Sequence, residues 1–406
     1  MHPSAPPQRE WATISAVGTA HFVSHVLQLA LAPLFIMMRE DLGVSFTELG
    51  VLLSVFYLFS GSGQVLAGVL VDRFGADRLL LCGMVLQSTS MAALGFAPSY
   101  LVMLPIAMLA GLGNSVYHPA DLSILSHRIG SARLGRAFAA HVIAGNIGFA
   151  VSPLASGALA LMFGWRVALI TLGLACLCCA FGLMLARSVL RTEVHRAAAP
   201  APGAAALAPH TFARVLATPV VLLAFLYFFL SALALVGVQS FSITALQEGY
   251  GMSAAGAALV LTLYQMGTIL GVMCGGMMAD RVSHHHRVAM TGLALASAAA
   301  LVVGLNQSFL VASLIIPLIG VFIGVTMPSR DVLVRRAAPA GATGKVFGVV
   351  YSGFDVGSLV GPLVYGMLLD RHLNQAVFLA AALPLALAVV TVIGVRARPT
   401  ARAPAP

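Results

Sequence analysis

The chain contains repeated apolar runs, each as long as a helix that crosses a membrane. Residues 215–238 and 376–395 are two examples, and a membrane-spanning helix needs about 20 apolar residues. Only helices and closed barrels can cross a bilayer, because each backbone polar group must be satisfied within the structure. A barrel strand is about ten residues of alternating polarity, and these runs do not alternate. The sequence therefore predicts an all-α polytopic membrane protein with twelve transmembrane helices.

Charge is scarce and unevenly distributed. Charged residues make up 9% of the chain and hydrophobic residues 60%, too little charge to cover a soluble surface, so we expect the chain to be solvated by a lipid bilayer. Most of the 22 basic residues fall in alternate turns, on one side of the membrane. The positive-inside rule then places both termini in the cytoplasm of a bacterial-type inner (plasma) membrane. The basic residues form no stripe, which argues against nucleic-acid binding.

An internal repeat divides the chain into two halves. Pro119 and Pro153 are 34 residues apart, as are Pro328 and Pro362, at an offset of 209 residues. Such a repeat in an apolar chain predicts a transporter built from two pseudo-symmetric six-helix bundles. The expected organisation is a cytoplasmic N-terminal tail (1–11), a first bundle (12–187), an Ala/Pro-rich cytoplasmic linker (188–214), a second bundle (215–395) and a cytoplasmic C-terminal tail (396–406).

The turn after the second span carries a charged motif, GVLVDRFGADR, at residues 68–78. A carboxylate at Asp72 can contact a basic residue or a helix N-terminus, and such a contact is suited to a latch between two conformations. The motif returns as GGMMADR at residues 275–281, which favours the latch over an ordinary charged turn. The predicted latch residues are Gly68, Asp72, Arg73, Gly75, Arg78, Arg136, Asp280 and Arg281.

This motif resembles the signature loop of the major facilitator superfamily. More narrowly, three segments resemble the fosmidomycin-resistance group of exporters. They are AHFVSHVLQLALAP (20–33) in the first predicted span, helix 1, YHPA (117–120) in the fourth, helix 4, and GNIGFAVSPL (145–154) in the fifth, helix 5. The resemblance implies alternating access driven by a proton gradient, with a substrate path between the halves. The chain departs from the group at His25, where an acid is usual. It also departs from the antiporters of the superfamily, which often carry a Gly-Pro motif in helix 5. Here helix 5 has Ser152-Pro153, and Gly361-Pro362 is in helix 11.

Polar residues within the spans are the candidates for the substrate or proton pathway, because such residues are costly in lipid and face a cavity or a partner. His21 and His25 are four residues apart and share a helix face. Their imidazoles suit proton coupling, or they bond to a neighbouring helix. Two histidines alone do not predict a metal site. His118 and Asp121 lie beside Pro119 in helix 4, where Asp121 either faces a cavity or is solvated near the cytoplasm.

The second half has its own candidates. Arg330 is placed either to neutralise an anionic substrate group or to pair with an acid of its own bundle. Asp355 needs either a partner or a proton inside a span, and its counterpart Asn146 cannot titrate. His141 lies a turn or so before Asn146. Helix packing and sliding are expected at the small residues and prolines of helices 5 and 11: Gly145, Gly148, Pro153, Gly357, Gly361 and Pro362.

The expected function is secondary active transport: proton-coupled export of a small anionic or zwitterionic compound or drug by a monomer that binds its substrate and protons. An importer of a small organic acid by proton symport is the alternative. A membrane-embedded enzyme or sensor is a remote one, since the sequence offers no metal-binding triad. An ATP-driven pump is disfavoured, because the sequence has no Gly-rich phosphate loop with Lys-Ser/Thr. No cofactor is predicted.

Overall fold

The structure is a computed structural model that describes residues 7–191, 219–279, 281–337 and 343–396. Within these ranges it contains helices and no strand. Twelve helical segments are long and apolar enough to cross a membrane. The predicted all-α fold with twelve transmembrane helices is therefore confirmed.

The first six spans are built from eight α-helices. They are α1 (Pro7–Leu29), α2 (Phe35–Leu42), α3 (Phe46–Phe74), α4 (Ala76–Phe96), α5 (Tyr100–Asn114), α6 (Tyr117–Arg128), α7 (Ser131–Phe163) and α8 (Trp165–Leu185). Spans seven to twelve comprise α9 (Pro219–Val236), α10 (Ser242–Tyr250), α11 (Ala254–Ala279), α12 (His285–Leu305), α13 (Phe309–Ala337), α14 (Thr343–Asp370) and α15 (Ala376–Arg396).

Three spans are interrupted within their length. A 3₁₀ turn at Ala32–Leu34, which contains Pro33, separates α1 from α2. Two turn residues, Ser115 and Val116, separate α5 from α6, and Pro119 lies in the first turn of α6. Proline fits a first turn because its missing N–H has no helical partner there. A π-helical segment, Gly237–Phe241, joins α9 to α10. The interruption beside Pro119 lies where polar residues were predicted to face inwards.

Helix α3 begins with a capping box, and the sequence there, with Ser45 or Thr47 and then Glu48, predicts a helix start. The Ser45 hydroxyl accepts a hydrogen bond from the Glu48 amide at 3.1 Å, and the Glu48 carboxylate accepts one from the Ser45 amide at 2.7 Å. Both amides lack a partner within the helix, so the two bonds stabilise its start. The preceding helix ends at Gly43, whose φ of 65° is left-handed, a conformation that glycine adopts without steric cost.

The described residues form two compact units. One contains spans one to six together with Ala254–Thr262, the start of α11, and the other contains the rest of spans seven to twelve. The inclusion of Ala254–Thr262 differs from the bundle boundaries expected from the sequence. Most of the expected linker lies outside the described residues. Its beginning is bonded to α1, because the Thr13 hydroxyl donates a hydrogen bond to the Val189 carbonyl at 2.7 Å.

The repeat recurs in the packing within each unit. Helix α1 packs along α7 in the first unit, and α9 packs along α14 in the second. Gly148 on α7 lies against the backbone carbonyl of Phe22 so closely that a Cβ would collide with it. Gly357, its counterpart at the 209-residue offset, lies in the same way against the Phe229 carbonyl. Small residues thus allow the same helix pair to approach closely in both halves.

Candidate functional site

Five ionisable residues converge inside the first unit and form what we call the histidine–aspartate cluster: His21, His25, His118, Asp121 and His141. They come from three elements, α1, α6 and α7. The rings of His21 and His141 are stacked, with centroids 3.7 Å apart. The centroid of His21 is 4.3 Å from that of His25 and 5.2 Å from that of His118. His21 is therefore the centre of the cluster.

Asp121 lies beneath these rings and is fully buried. Its Oδ2 atom is 3.1 Å from Nε2 of His141 and 3.4 Å from Nδ1 of His21. Its Oδ1 atom has no hydrogen-bond partner among the described residues. Of the two positions that the sequence allowed for Asp121, the structure has the interior one, and the solvated position near the cytoplasm is not observed.

Exposure differs among the histidines. His21 and His141 are buried, whereas His118 is exposed and His25 is half-buried. The His25 ring stacks on Phe149 at a centroid distance of 4.0 Å. His118 is thus the member through which the buried part of the cluster can be reached.

Glycine on α7 provides the space for the rings of α1. A Cβ at Gly145 would lie 2.5 Å from Cδ2 of His21 and 2.7 Å from Cε1 of His25. A Cβ at Gly148 would lie 3.0 Å from Cβ of His25. Side chains at these positions would occupy the volume of the imidazoles, so the glycines shape the cluster as well as the helix contact.

Three ring nitrogens of the cluster lie close enough together to be candidate metal ligands. His21, His118 and His141 each offer a ring nitrogen, and these three atoms lie within 4.8 Å of one another. The sequence showed only the pair on helix 1, because His118 and His141 are separated from His21 by 97 and 120 residues. Asn146 does not belong to the cluster, since its amide donates to the carbonyl of Val142 on its own helix at 2.9 Å.

The second unit has a different set of residues at the equivalent helices. The guanidinium carbon of Arg330, on α13, lies 4.6 Å from the ring centroid of Phe228 on α9. The Phe228 ring is 4.8 Å from that of Tyr351 on α14, and half-buried Asp355 follows one turn later. Arg330 is the counterpart of Asp121 at the 209-residue offset. The first unit therefore has an acid beside histidines where the second unit has a base beside aromatic rings.

A second polar group in this unit was missed by the sequence analysis. The π-helical segment carries Gln239, whose amide donates to the Gln265 side chain at 3.4 Å. Gly237, in the same segment, is packed against the ring of Tyr365. A single π turn within a long helix is frequent at functional sites. Gly237 is the one unusual residue that the sequence shows at the start of this segment, but a glycine inside an apolar run does not predict a π turn.

The predicted latch residues occupy the ends of the spans. Asp72, Arg73, Arg78, Arg136 and Arg281 are exposed. Gly75 joins α3 to α4 with a φ of 93°. Among the described residues, no neighbour lies within 4 Å of a Cβ built at Gly68. Asp280 lies outside the described residues.

A different acid forms the ion pair at this end of the first unit. Asp77 is buried, and its Oδ2 accepts a hydrogen bond from Nε of Arg187 at 2.6 Å. Nearby, Glu10 accepts from the Gly130 amide at 3.0 Å and pairs with Arg133. The motif predicts a latch at Asp72, five residues before Asp77. Spacing alone does not show which of the two carboxylates is buried.

Fold and site together define a multi-pass membrane protein with ionisable groups enclosed by its helices. The chain matches the Major Facilitator Superfamily over residues 17–255 and 228–406. It belongs to this superfamily and is a transporter of small molecules, not an enzyme, as predicted.

Relatives in this superfamily carry different names. A fosmidomycin resistance protein of Escherichia coli (strain K12) is 23% identical over 384 residues, 92% of this chain and 90% of that protein. A probable sulfoacetate transporter of Cupriavidus necator is 24% identical over 386 residues, 86% of this chain and 85% of that protein. A probable L-galactonate transporter of Escherichia coli (strain K12) is 35% identical over 135 residues, 33% of this chain and only 30% of that protein.

Solved transporters share the fold. The crystal structure of a bacterial homologue of the human lysosomal transporter Spinster, in an inward-facing and unoccupied conformation, matches with a TM-score of 0.75. The match has 15% identity and covers 97% of this chain and 96% of that chain. The predicted resemblance to the superfamily and to its fosmidomycin-resistance group is confirmed.

Proposed function

We propose that the protein is a proton-coupled secondary transporter that exports small organic anions by alternating access. The observation that carries the proposal is the enclosure of ionisable side chains by membrane-spanning helices in both units. Such residues are costly in a membrane and mark the paths of ions and substrates. The family supplies the transport activity, and the ionisable residues supply the chemistry for charge recognition and coupling.

Arg330 supports the anionic substrate. Its guanidinium lies over the Phe228 ring beside Tyr351, and a guanidinium presents planar hydrogen-bond donors that match a carboxylate or phosphonate. The names of two relatives, the sulfoacetate and L-galactonate transporters, also refer to organic anions. We assign Arg330 the role of binding the anionic group.

Asp355 supports the coupling to protons. It lies inside the span Val349–Asp370 and has no ion pair among the described residues. A carboxylate inside a span requires a partner or a proton, so a change of conformation that alters its surroundings can load or release a proton. Asn146, the counterpart of Asp355 in the first half, cannot bind or release a proton in this way, because its side-chain amide does not titrate.

We propose export instead of import because the match to the fosmidomycin resistance protein covers nearly the whole chain, and the group that this protein represents is one of exporters. We place the transporter as a monomer in the inner (plasma) membrane with both termini in the cytoplasm. The exposed arginines between spans, Arg73, Arg78 and Arg136, support this orientation through the positive-inside rule.

The test is uptake of labelled anions into liposomes that contain the purified protein and a pH gradient. An antiporter accumulates the anion when the lumen is acidic, because protons leaving the lumen drive the exchange. A symporter accumulates it when the lumen is alkaline. Protein-free liposomes correct for passive entry of weak acids. Asp355→Asn should lose gradient-driven uptake, whereas Glu40→Gln, which removes an exposed acid of α2, should retain it.

Uptake that is unchanged in Asp355→Asn would contradict the assignment of the proton site. Uptake of cations alone would contradict the anion assignment. Accumulation only with an alkaline lumen would replace export by import through proton symport.

A further inference from the structure

We propose that His21, His118 and His141 form a binding site for a divalent transition-metal ion of the Zn²⁺ type. The three residues come from α1, α6 and α7, and each offers a ring nitrogen within 4.8 Å of the other two. Three imidazoles with one open position form a ligand set that Zn²⁺ uses in proteins. This site is additional to the anion and proton sites assigned to the second unit.

The distances require only small movements for binding. Ligands at 2.0–2.1 Å from a tetrahedral ion are separated from one another by about 3.3 Å. The three nitrogens therefore have to approach each other by about 1.5 Å at most, which side-chain torsions and small helix adjustments can provide. His118 is exposed whereas His21 and His141 are buried. The exposed ring can therefore adjust most freely, and it marks the side from which an ion enters.

Asp121 supplies the support that metal-bound histidines usually have. A ligating imidazole commonly donates its other N–H to a carboxylate, which fixes the ring orientation and raises its basicity. Asp121 offers this support to His141, whose Nε2 is 3.1 Å from Oδ2. The same oxygen lies 3.4 Å from Nδ1 of His21 without forming a hydrogen bond. The negative charge of Asp121 also offsets part of the charge that the cation brings into the bundle.

Unsatisfied polar atoms in the cluster point to a missing positive partner. Nδ1 of His21 and Oδ1 of Asp121 are both buried without a hydrogen-bond partner among the described residues. Buried polar atoms are normally satisfied, and an exception requires an explanation such as an ion. An ion held by the three imidazoles would supply the positive charge that a buried carboxylate requires.

The chemistry of the donors selects the class of ion. Imidazole nitrogens suit Zn²⁺, Ni²⁺, Co²⁺ and Cu²⁺, whereas Mg²⁺ and Ca²⁺ are bound mainly by oxygen. An ion bound at all three histidines would link α1, α6 and α7. Since it would bind the folded protein, occupancy should raise the thermal unfolding midpoint.

The test is titration of the purified full-length protein, carrying no polyhistidine tag, with Zn²⁺, and with Mg²⁺ as the negative control. We expect one high-affinity Zn²⁺ per chain, a raised unfolding midpoint, and the visible absorption of four-coordinate Co²⁺ when Co²⁺ is used. His118→Gln should weaken binding by about 100-fold or more, since loss of a supporting residue alone costs 10–100-fold. Because His118 is exposed, this variant should fold.

Two control variants distinguish the site from other histidines. His25→Gln alters the neighbouring ring, which is not one of the three donors, and should retain one Zn²⁺. His284→Gln/His286→Gln removes histidines at the start of α12 and should also retain it. Absence of Zn²⁺ binding in the wild type would overturn the proposal, as would binding that is lost in the His284/His286 variant and kept in His118→Gln. Neither result depends on the transport assays.

Discussion

Oδ2 of Asp121 lies 3.1 Å from Nε2 of His141 inside the first unit, although the two residues are on different helices and 20 positions apart. The same oxygen is 3.4 Å from Nδ1 of His21 on a third helix. Asp121 therefore ties together the three elements that carry the histidine–aspartate cluster.

Substitution of Asp121 by Ala should lower the thermal unfolding midpoint of the detergent-solubilised protein. The change leaves Nε2 of His141 buried without its hydrogen-bond partner, and an unsatisfied buried polar group costs about 1–3 kcal/mol. Asp41→Ala is the matched control, because its pair with Arg166 is exposed at the surface, where an ion pair contributes about 0–1 kcal/mol. Equal losses of thermal stability in the two variants would contradict the buried role of Asp121.

Gly145→Ala should disturb the cluster without removing any of its ionisable groups. The new Cβ would lie 2.5 Å from Cδ2 of His21, so the ring or the helix must move, at a cost of about 1–3 kcal/mol. The unfolding midpoint should fall and Zn²⁺ binding should weaken. Gly182→Ala is the control, since no neighbour among the described residues lies within 4 Å of a Cβ built there. Wild-type Zn²⁺ affinity in Gly145→Ala would show that His21 is not constrained by α7.

Asp77, and not Asp72, should stabilise the end of the first unit that carries the loop motif. Asp77→Asn weakens the pair between the buried Asp77 carboxylate and the more exposed Arg187, whereas Asp72→Asn changes an exposed side chain. A double-mutant cycle with Arg187→Gln, read by thermal unfolding, should give a coupling energy for Asp77 and none for Asp72. Equal coupling of Asp72 and Asp77 to Arg187 would contradict this assignment.

Substitution of Arg330 by Lys should weaken anion transport even though the positive charge is retained. A lysine ammonium lacks the planar fork of donors and does not stack on Phe228 in the same way. Initial rates of uptake at several anion concentrations should show a higher KM. Arg371→Lys, at an exposed position outside the predicted site and latch, is the control and should behave as the wild type. An unchanged KM in Arg330→Lys would remove Arg330 from the anion site.

The sequence predicted the parts of this structure that depend on local pattern. Apolar runs predicted the spans, Ser45 and Glu48 predicted a helix start, and the 34-residue spacing of prolines predicted two related halves. The spacing of His21 and His25 predicted a shared face, and their rings are in contact. These features follow from helix geometry and from the cost of polar groups in lipid.

The convergence of His118, Asp121 and His141 on His21 was not predictable from spacing. It depends on how α1, α6 and α7 pack, which the small residue at Gly145 permits but does not specify. Likewise, Asp77 and Arg187 are 110 residues apart, and only the packed structure shows that they meet. A single sequence indicates which residues are costly in a membrane, while helix packing decides which of them become partners.

Luminal pH is the measurement that tests the central claim of proton-coupled anion transport most directly. Liposomes that contain the protein and a trapped pH-sensitive dye start without a gradient and receive a panel of labelled carboxylates and phosphonates. We predict that entry of the transported anion makes the lumen alkaline in the wild type and in Glu40→Gln, and leaves it unchanged in Asp355→Asn. Entry of labelled anion without any change of luminal pH in the wild type would contradict the account.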